Sequence, residues 1–238
     1  MSNPFKLHQI NGTHAYVLQT HRRLMTECLP DLDIHPLHGS ERSLQLIQQR
    51  YRLPHQPFFL QQVHGAEAIT LHEPPSTHFW TSADACYTFQ KNIVCAVMTA
   101  DCLPVLITDS QTSFVAAVHC GWRSLYEDIL TKILNKISTD NPLIVWFGPA
   151  ICQNHYQVDQ AFKNHYLKAH PTAAKAFTRV IDGHCYADIA IMARVQLQHF
   201  EVANLYLNER CTYEDPDYYS WRRNKTKARQ ASLIWMST

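Results

Sequence analysis

Two long apolar runs separated by a short polar one, in TADCLPVLITDSQTSFVAAVHCGWR (residues 99–123), constrain this chain more than any other feature. Runs of that length joined by DSQT read as an antiparallel hairpin with its turn near Ser110 and Gln111. Both faces are apolar, which predicts a central position in a sheet covered on both sides. A turn centred between those two residues sets Cys102 directly opposite His119 on one face, with Cβ atoms about 5 Å apart. Asp101 and Cys120 then point to the other face, and a slip of one residue would part the pair.

The second run ends in His119, Cys120, Gly121, Trp122 and Arg123. An ordinary reading makes His119 a satisfied polar group at a strand rim and the cysteines small buried hydrophobes. A third donor lies upstream, where FFLQQVHGAEAI carries a strand-like run into His64 and Gly65. The chain has six glycines, against about 16 for average usage at this length. Three of them, Gly65, Gly121 and Gly148, sit at these strand ends, where glycine serves tight turns or close backbone approach. His64, Cys102 and His119 together make a candidate catalytic zinc set, because three N and S ligands leave a fourth position open. A closed structural site uses four ligands in paired short spacings, and no Cys-x-x-Cys pair occurs. With fifteen histidines in the chain, the residues alone leave other sets open.

The rest of the chain predicts a mixed α-β fold (α+β class) in one domain, residues 1–238, with no internal repeat and no Gly/Ser/Pro-rich linker. Strand candidates are 14–20, 57–63, 93–99, 103–108, 114–119, 143–147, 202–207 and 231–236. Helical spacing appears at Leu44, Ile47 and Tyr51 after Ser40, at Leu125, Ile129, Ile133 and Ile137, and at Ile189, Met192, Ala193 and Phe200. Ser124 and Glu127 have the spacing of a capping box before the middle helix. LHEPPSTHFW (71–80) reads as a surface loop. The formal net charge of +1, with 17% charged residues, predicts no long-range attraction to nucleic acid or membrane. The N-terminal stretch lacks a signal-peptide core and no segment is long enough to span a bilayer, so a cytoplasmic protein with its eight cysteines as thiols is expected.

The segments QQVHGAE, ADACYT, TADCLPVLITD, AAVHCGWRSL, WFGPAI and CTYEDPDYYSWRRNKTKARQASLIWM resemble, in order, the motifs of the YfiH-like family. Its members carry the labels polyphenol oxidase (laccase), purine nucleoside phosphorylase and peptidoglycan editing factor. The resemblance runs from about residue 57 to the C-terminal segment. It implies packed mixed sheets flanked by helices, with zinc held by His64, Cys102 and His119. Two departures stand out: QTHRRLMTECLP lacks the family's glycine pair, and GPAICQNHYQV replaces its usual cysteine and glycine pattern.

The resemblance implies phosphorolysis of adenosine, inosine or methylthioadenosine to free base and ribose 1-phosphate, with adenosine deamination as a side reaction. Small-molecule nucleoside and phosphate are then the partners. Arg123 is the candidate for holding phosphate. Asp101 is the carboxylate nearest in sequence for moving a proton, assisting zinc-promoted attack of water on the purine. Gln62 and Arg229 join Arg123 as substrate-binding candidates, and the five cations between Arg222 and Arg229 read either as a solvated loop or as a rim attracting phosphate. A rival reading makes Cys102 a nucleophile and His119 its base in a hydrolase of amide or peptide-like bonds, such as those of a peptidoglycan precursor. A purely structural zinc would need a closing ligand such as Cys120. The oxidase label requires copper, usually held by His-x-His pairs; none occurs here, although a His/Cys site binds copper readily in vitro.

Overall fold

Alternate side chains along the strands go to two different destinations, and this alternation builds the layers. The computed structural model describes residues 5–10, 12–23, 32–35, 41–57, 59–74 and 81–238. In chain order the strands are β1 (Phe5–Ile10), β2 (Thr13–Gln19), β3 (Ala68–Thr70), β4 (Ala85–Thr88), β5 (Cys95–Thr99), β6 (Leu103–Asp109), β7 (Val115–Cys120), β8 (Leu143–Phe147), β9 (Gln157–Asp159), β10 (His184–Tyr186), β11 (Val202–Leu207) and β12 (Gln230–Ser237). The helices are α1 (Glu41–Tyr51), α2 (Trp122–Tyr126), α3 (Ile129–Ile137), α4 (Gln160–Ala169), α5 (Ile189–Leu197) and α6 (Trp221–Asn224).

A six-stranded sheet runs β11-β8-β6-β7-β4-β3, parallel in its two outer pairs and antiparallel between them. A second sheet, β1-β2-β12-β5, is antiparallel throughout. Leu103, Val105 and Ile107 of β6 face Ile129 and Ile133 of α3 and Met192 of α5, while Leu106 turns to Val17, Val97 and Ile234 of the other sheet. Leu18, Leu233 and Trp235 cover the outer face of that second sheet against Leu44 and Ile47 of α1. The layers are therefore helices, sheet, sheet and helix, the mixed α-β architecture expected.

The hairpin is central and buried throughout, as its apolar faces require. Its register differs from the expected one: Leu103 pairs with Cys120 and Pro104 with His119, so the partner of each residue is shifted by two. Asp109 causes the shift. Its carboxylate accepts from the amides of Gln111 and Ser113, and from the side chains of Ser113, Thr139 and Asn141, holding a longer turn than a two-residue connection. An even shift preserves faces, so Cys102 still lies on the His119 side, diagonally rather than directly opposite. Cys120 faces the helical layer, as expected.

The capping box does not form. The helix starts at Trp122, immediately after Gly121, so Ser124 lies within α2 as a buried residue instead of capping α3. Asp128, at φ 61°, breaks the run and precedes α3. Phe200 lies beyond the end of α5. Within 57–63 the described residues form only a bridge from Gln61 to Ser82. Residues 24–30, 36–40, 58 and 75–80 lie outside the described residues; they include Cys28, part of the divergent QTHRRLMTECLP segment, Ser40 and six of the ten residues of the expected surface loop.

Candidate functional site

Three residues, Ala100, Asp101 and Cys102, carry the chain from β5 in one sheet to β6 in the other. Asp101 makes the crossing at φ 105°. Cys102 thereby stands at the mouth between the sheets, beside the end of β7, where His119 points to the same side.

His64 reaches this point from a loop. It adopts φ 61°, a left-handed conformation costing a non-glycine residue roughly 1–2 kcal/mol. Asp84 holds the loop there, since its fully buried carboxylate accepts from the backbone N–H groups of Val63, His64 and Gly65 at 3.1, 2.9 and 2.8 Å. The same carboxylate lies 2.7 Å from Nδ1 of His119, and the Asp84 carbonyl accepts from the His119 amide at 2.7 Å. One aspartate thus positions two of the three donors. Nδ1 of His119 is committed to it, leaving Nε2 as the free ring nitrogen.

The donor atoms of His64, Cys102 and His119 all lie within 4.8 Å of one another, with Cys102 Sγ 3.8 Å from His64 Nε2. Gly121 permits the gathering: a Cβ there would lie 2.8 Å from His64 Cδ2 and 3.4 Å from Cys102 Sγ. Burial alone would raise the Cys102 thiol, but the facing His119 and His64 outweigh it and bring it down to about 6. Burial would likewise lower His119, but the Cys102 thiolate and the Asp84 carboxylate carry it up to about 9. An imidazole–thiolate–imidazole set with a carboxylate behind one ring suits a divalent transition metal. Among the described residues, Cys120 is turned away from the set and closes no fourth position.

The trio opens into a cavity of about 600 Å³, within the range that holds small-molecule ligands. Every other expected site residue lines it: Gln62, Asp101, Arg123 and Arg229. They are not equally free. Gln62 spends both ends of its amide on the backbone of Met98, at 2.8 and 2.7 Å. Asp101 accepts from Thr212 Oγ1 at 2.7 Å and from the Arg222 amide at 2.6 Å, so its carboxylate ties the C-terminal segment to the crossing. Its place in the cavity wall departs from the expectation that it points away, because it precedes the strand rather than extending it. Arg229 donates to the carbonyls of Thr226 and Ala228. Arg123 is exposed and rests over the Trp122 ring, 4.4 Å from the centroid.

Of the five clustered cations, Arg222 and Arg229 line the cavity. Arg223 points elsewhere, donating to the carbonyls of Thr212, Tyr213, Asp215 and Tyr218. The aromatic wall of Trp122, Tyr156 and Trp221 and the role of Asp84 were missed in the sequence. An aspartate inside the otherwise apolar, strand-like ADACYT needs a buried partner, and that was the available signal.

Residues 39–237 match the family model described as multi-copper polyphenol oxidoreductase laccase. The chain is 38% identical over 187 residues to the purine nucleoside phosphorylase YfiH of Escherichia coli K12, covering 77% of this chain and 75% of that protein. It is 34% identical over 194 residues to a purine nucleoside phosphorylase of Haemophilus influenzae, covering 80% and 78%. A Neisseria meningitidis crystal structure assigned to DUF152 superposes with a TM-score of 0.83 at 27% identity, over 99% of this chain and 100% of the other. The Bacillus licheniformis hypothetical protein YfiH shares the fold at 20% identity, with a TM-score of 0.80, over 99% of this chain and 97% of the other.

Proposed function

The chain belongs to the family described as multi-copper polyphenol oxidoreductase laccase, and on that footing we propose that it is a zinc-dependent purine nucleoside phosphorylase. The observation that carries this reading is the opening of the His64–Cys102–His119 set into a cavity lined by both aromatic rings and arginines. The relatives named as purine nucleoside phosphorylases support it. His64, Cys102 and His119 hold the ion, which supplies Lewis-acid polarisation when bound.

Phosphorolysis requires a phosphate oxygen to form a bond to the anomeric carbon while the glycosidic bond breaks and its electron pair leaves with the purine. Arg123, exposed over the Trp122 ring, binds and orients phosphate. Arg222 and Arg229 add positive charge to the same wall. Trp122, Tyr156 and Trp221 supply apolar surface for the base and exclude water from the oxocarbenium-like sugar. Burial, reinforced by the Cys102 charge, keeps the Tyr156 phenol protonated far above its ordinary range. Asp101 positions the wall through Thr212 and Arg222. Adenosine deamination is the expected side reaction.

The test incubates purified protein with inosine or adenosine, with and without phosphate, and measures free base and ribose 1-phosphate. Dependence on phosphate, with Arg123→Ala raising the KM for phosphate at least about tenfold, supports the reading. Equal base release without phosphate overturns it. Elemental analysis identifies the resident ion, copper being the alternative that the family description names.

A second reading rests on the low Cys102 and high His119 pKa values, which also describe the nucleophile–base pair of a hydrolase acting on an amide or peptide-like bond. Cys102→His separates the two. A histidine can hold zinc but cannot replace a sulfur nucleophile, so retained nucleoside activity favours the metal.

A further inference from the structure

A second group of donors lies beyond the cavity wall. Cys152 and His155 follow β8 at i, i+3 spacing, and Cys211 and Glu214 repeat that spacing in the loop before α6. The backbone brings the two segments side by side: Ala150 and Cys211 form a parallel bridge, and the Thr212 amide donates to the Ala150 carbonyl at 3.0 Å.

The four donor atoms all lie within 4.8 Å of one another. Cys152 Sγ is 3.2 Å from His155 Nδ1 and 3.7 Å from Glu214 Oε1, His155 Nδ1 is 3.3 Å from Glu214 Oε1, and Cys211 Sγ is 4.0 Å from His155 Nδ1. A tetrahedral zinc with bonds of about 2.0–2.3 Å separates its ligands by about 3.3–3.8 Å. The three spacings among Cys152, His155 and Glu214 match edges of such a tetrahedron to within about 0.1 Å, and the Cys211–His155 spacing is slightly longer. We propose that Cys152, His155, Cys211 and Glu214 form a second, structural zinc site, closed by four ligands and independent of the His64–Cys102–His119 set.

The surroundings suit that task. The Cys152 amide donates to Cys211 Sγ at 3.2 Å, fixing the position of that sulfur. His155 is held in orientation by the Tyr213 ring, stacked at a centroid distance of 4.3 Å. The ion ties the loop after β8 to the loop that carries Thr212, whose hydroxyl holds Asp101 in the cavity wall. Its role is thus to staple the wall rather than to meet substrate.

The test compares the zinc content of the full-length parent and of C152S/C211S after zinc loading and gel filtration, with circular dichroism confirming that both are folded. The double variant is expected to hold one ion per chain fewer than the parent. This difference is read whether or not the first site is filled, so failure of the first site's reading remains distinguishable. Cobalt(II) loading of H64A/H119A should show thiolate-to-cobalt charge transfer and the intense visible bands of a tetrahedral ion. Because the double-cysteine variant removes buried groups, Glu214→Ala, at an exposed position that leaves both thiols in place, is the second variant. It should surrender that zinc to a competing chelator at a concentration at least about tenfold lower. Equal zinc content in parent and C152S/C211S, equal retention in Glu214→Ala, or a Cys152–Cys211 disulfide in peptide maps of protein alkylated at harvest would overturn the proposal.

Discussion

The Asp84 carboxylate meets Nδ1 of His119 at 2.7 Å with both side chains almost wholly removed from water. Burial alone would favour the neutral acid; the hydrogen bond and charge of His119 and the amides of Gly65 and Val63 prevail, and the Asp84 pKa is lowered. Asp84→Asn keeps the size but weakens the acceptor. It should reduce zinc affinity about 10- to 100-fold and loosen the His64 turn as well. Competition titration against a chromophoric chelator measures the affinity.

Gly121→Ala tests the close approach of the three donors. The φ of Gly121 is −73°, so alanine meets no backbone penalty there, and the effect is purely steric: the new methyl would stand 2.8 Å from His64 Cδ2. His64 must move. The expected result is metal affinity lowered at least about tenfold, equivalent to about 1.4 kcal/mol, with a smaller loss of thermal stability than Asp84→Asn causes. Parallel metal titration and calorimetry read both effects.

Metal removal should expose the character of Cys102. In chelated protein, its alkylation by iodoacetamide should follow the thiolate: near maximal at pH 7, falling to half near pH 6 and fading below, since its pKa is brought down to about 6. Zinc should suppress the reaction across that whole range. Mass spectrometry of the Cys102 peptide reads the rate, and fast labelling of the zinc-loaded protein would favour the nucleophile reading.

Asp109 gives a stability prediction remote from the site. Its carboxylate is buried, which by itself raises the pKa, yet donation from Ser113, Asn141 and Thr139 lowers it. A depressed folded-state pKa contributes stability above the unfolded carboxylate range, near pH 4, and loses it as pH falls through the folded value. Asp109→Ala should cost about 2–4 kcal/mol at neutral pH. Urea unfolding at several pH values should show that difference shrinking as the parent is acidified below pH 4.

The strands Leu143–Phe147 and Val202–Leu207 were legible to the residue because apolar runs there stop at polar or turn-forming neighbours. The short strands Ala68–Thr70, Ala85–Thr88, Gln157–Asp159 and His184–Tyr186 were not, since three or four residues carry no measurable period. The three donors could be picked out by their types at strand ends, and the even register shift left the choice intact. Asp84 was hidden because its importance lies in four hydrogen bonds across the chain rather than in local spacing. The Cys152–His155 and Cys211–Glu214 pairs carry no Cys-x-x-Cys signature, because each joins a thiol to a different kind of ligand.

On β7, His119 looks toward the mouth between the sheets while its neighbour Cys120 is sealed against the helical layer. Inserting or deleting one residue within that strand would exchange them, offering sulfur at the rim and driving an imidazole into hydrocarbon. The strand is therefore closed to changes of length. Gln111, exposed at the far tip of the hairpin, is the point where extra residues can be spliced in or an accessory segment grafted, provided that Asp109 keeps its bonds to Ser113, Thr139 and Asn141 and so the strand register.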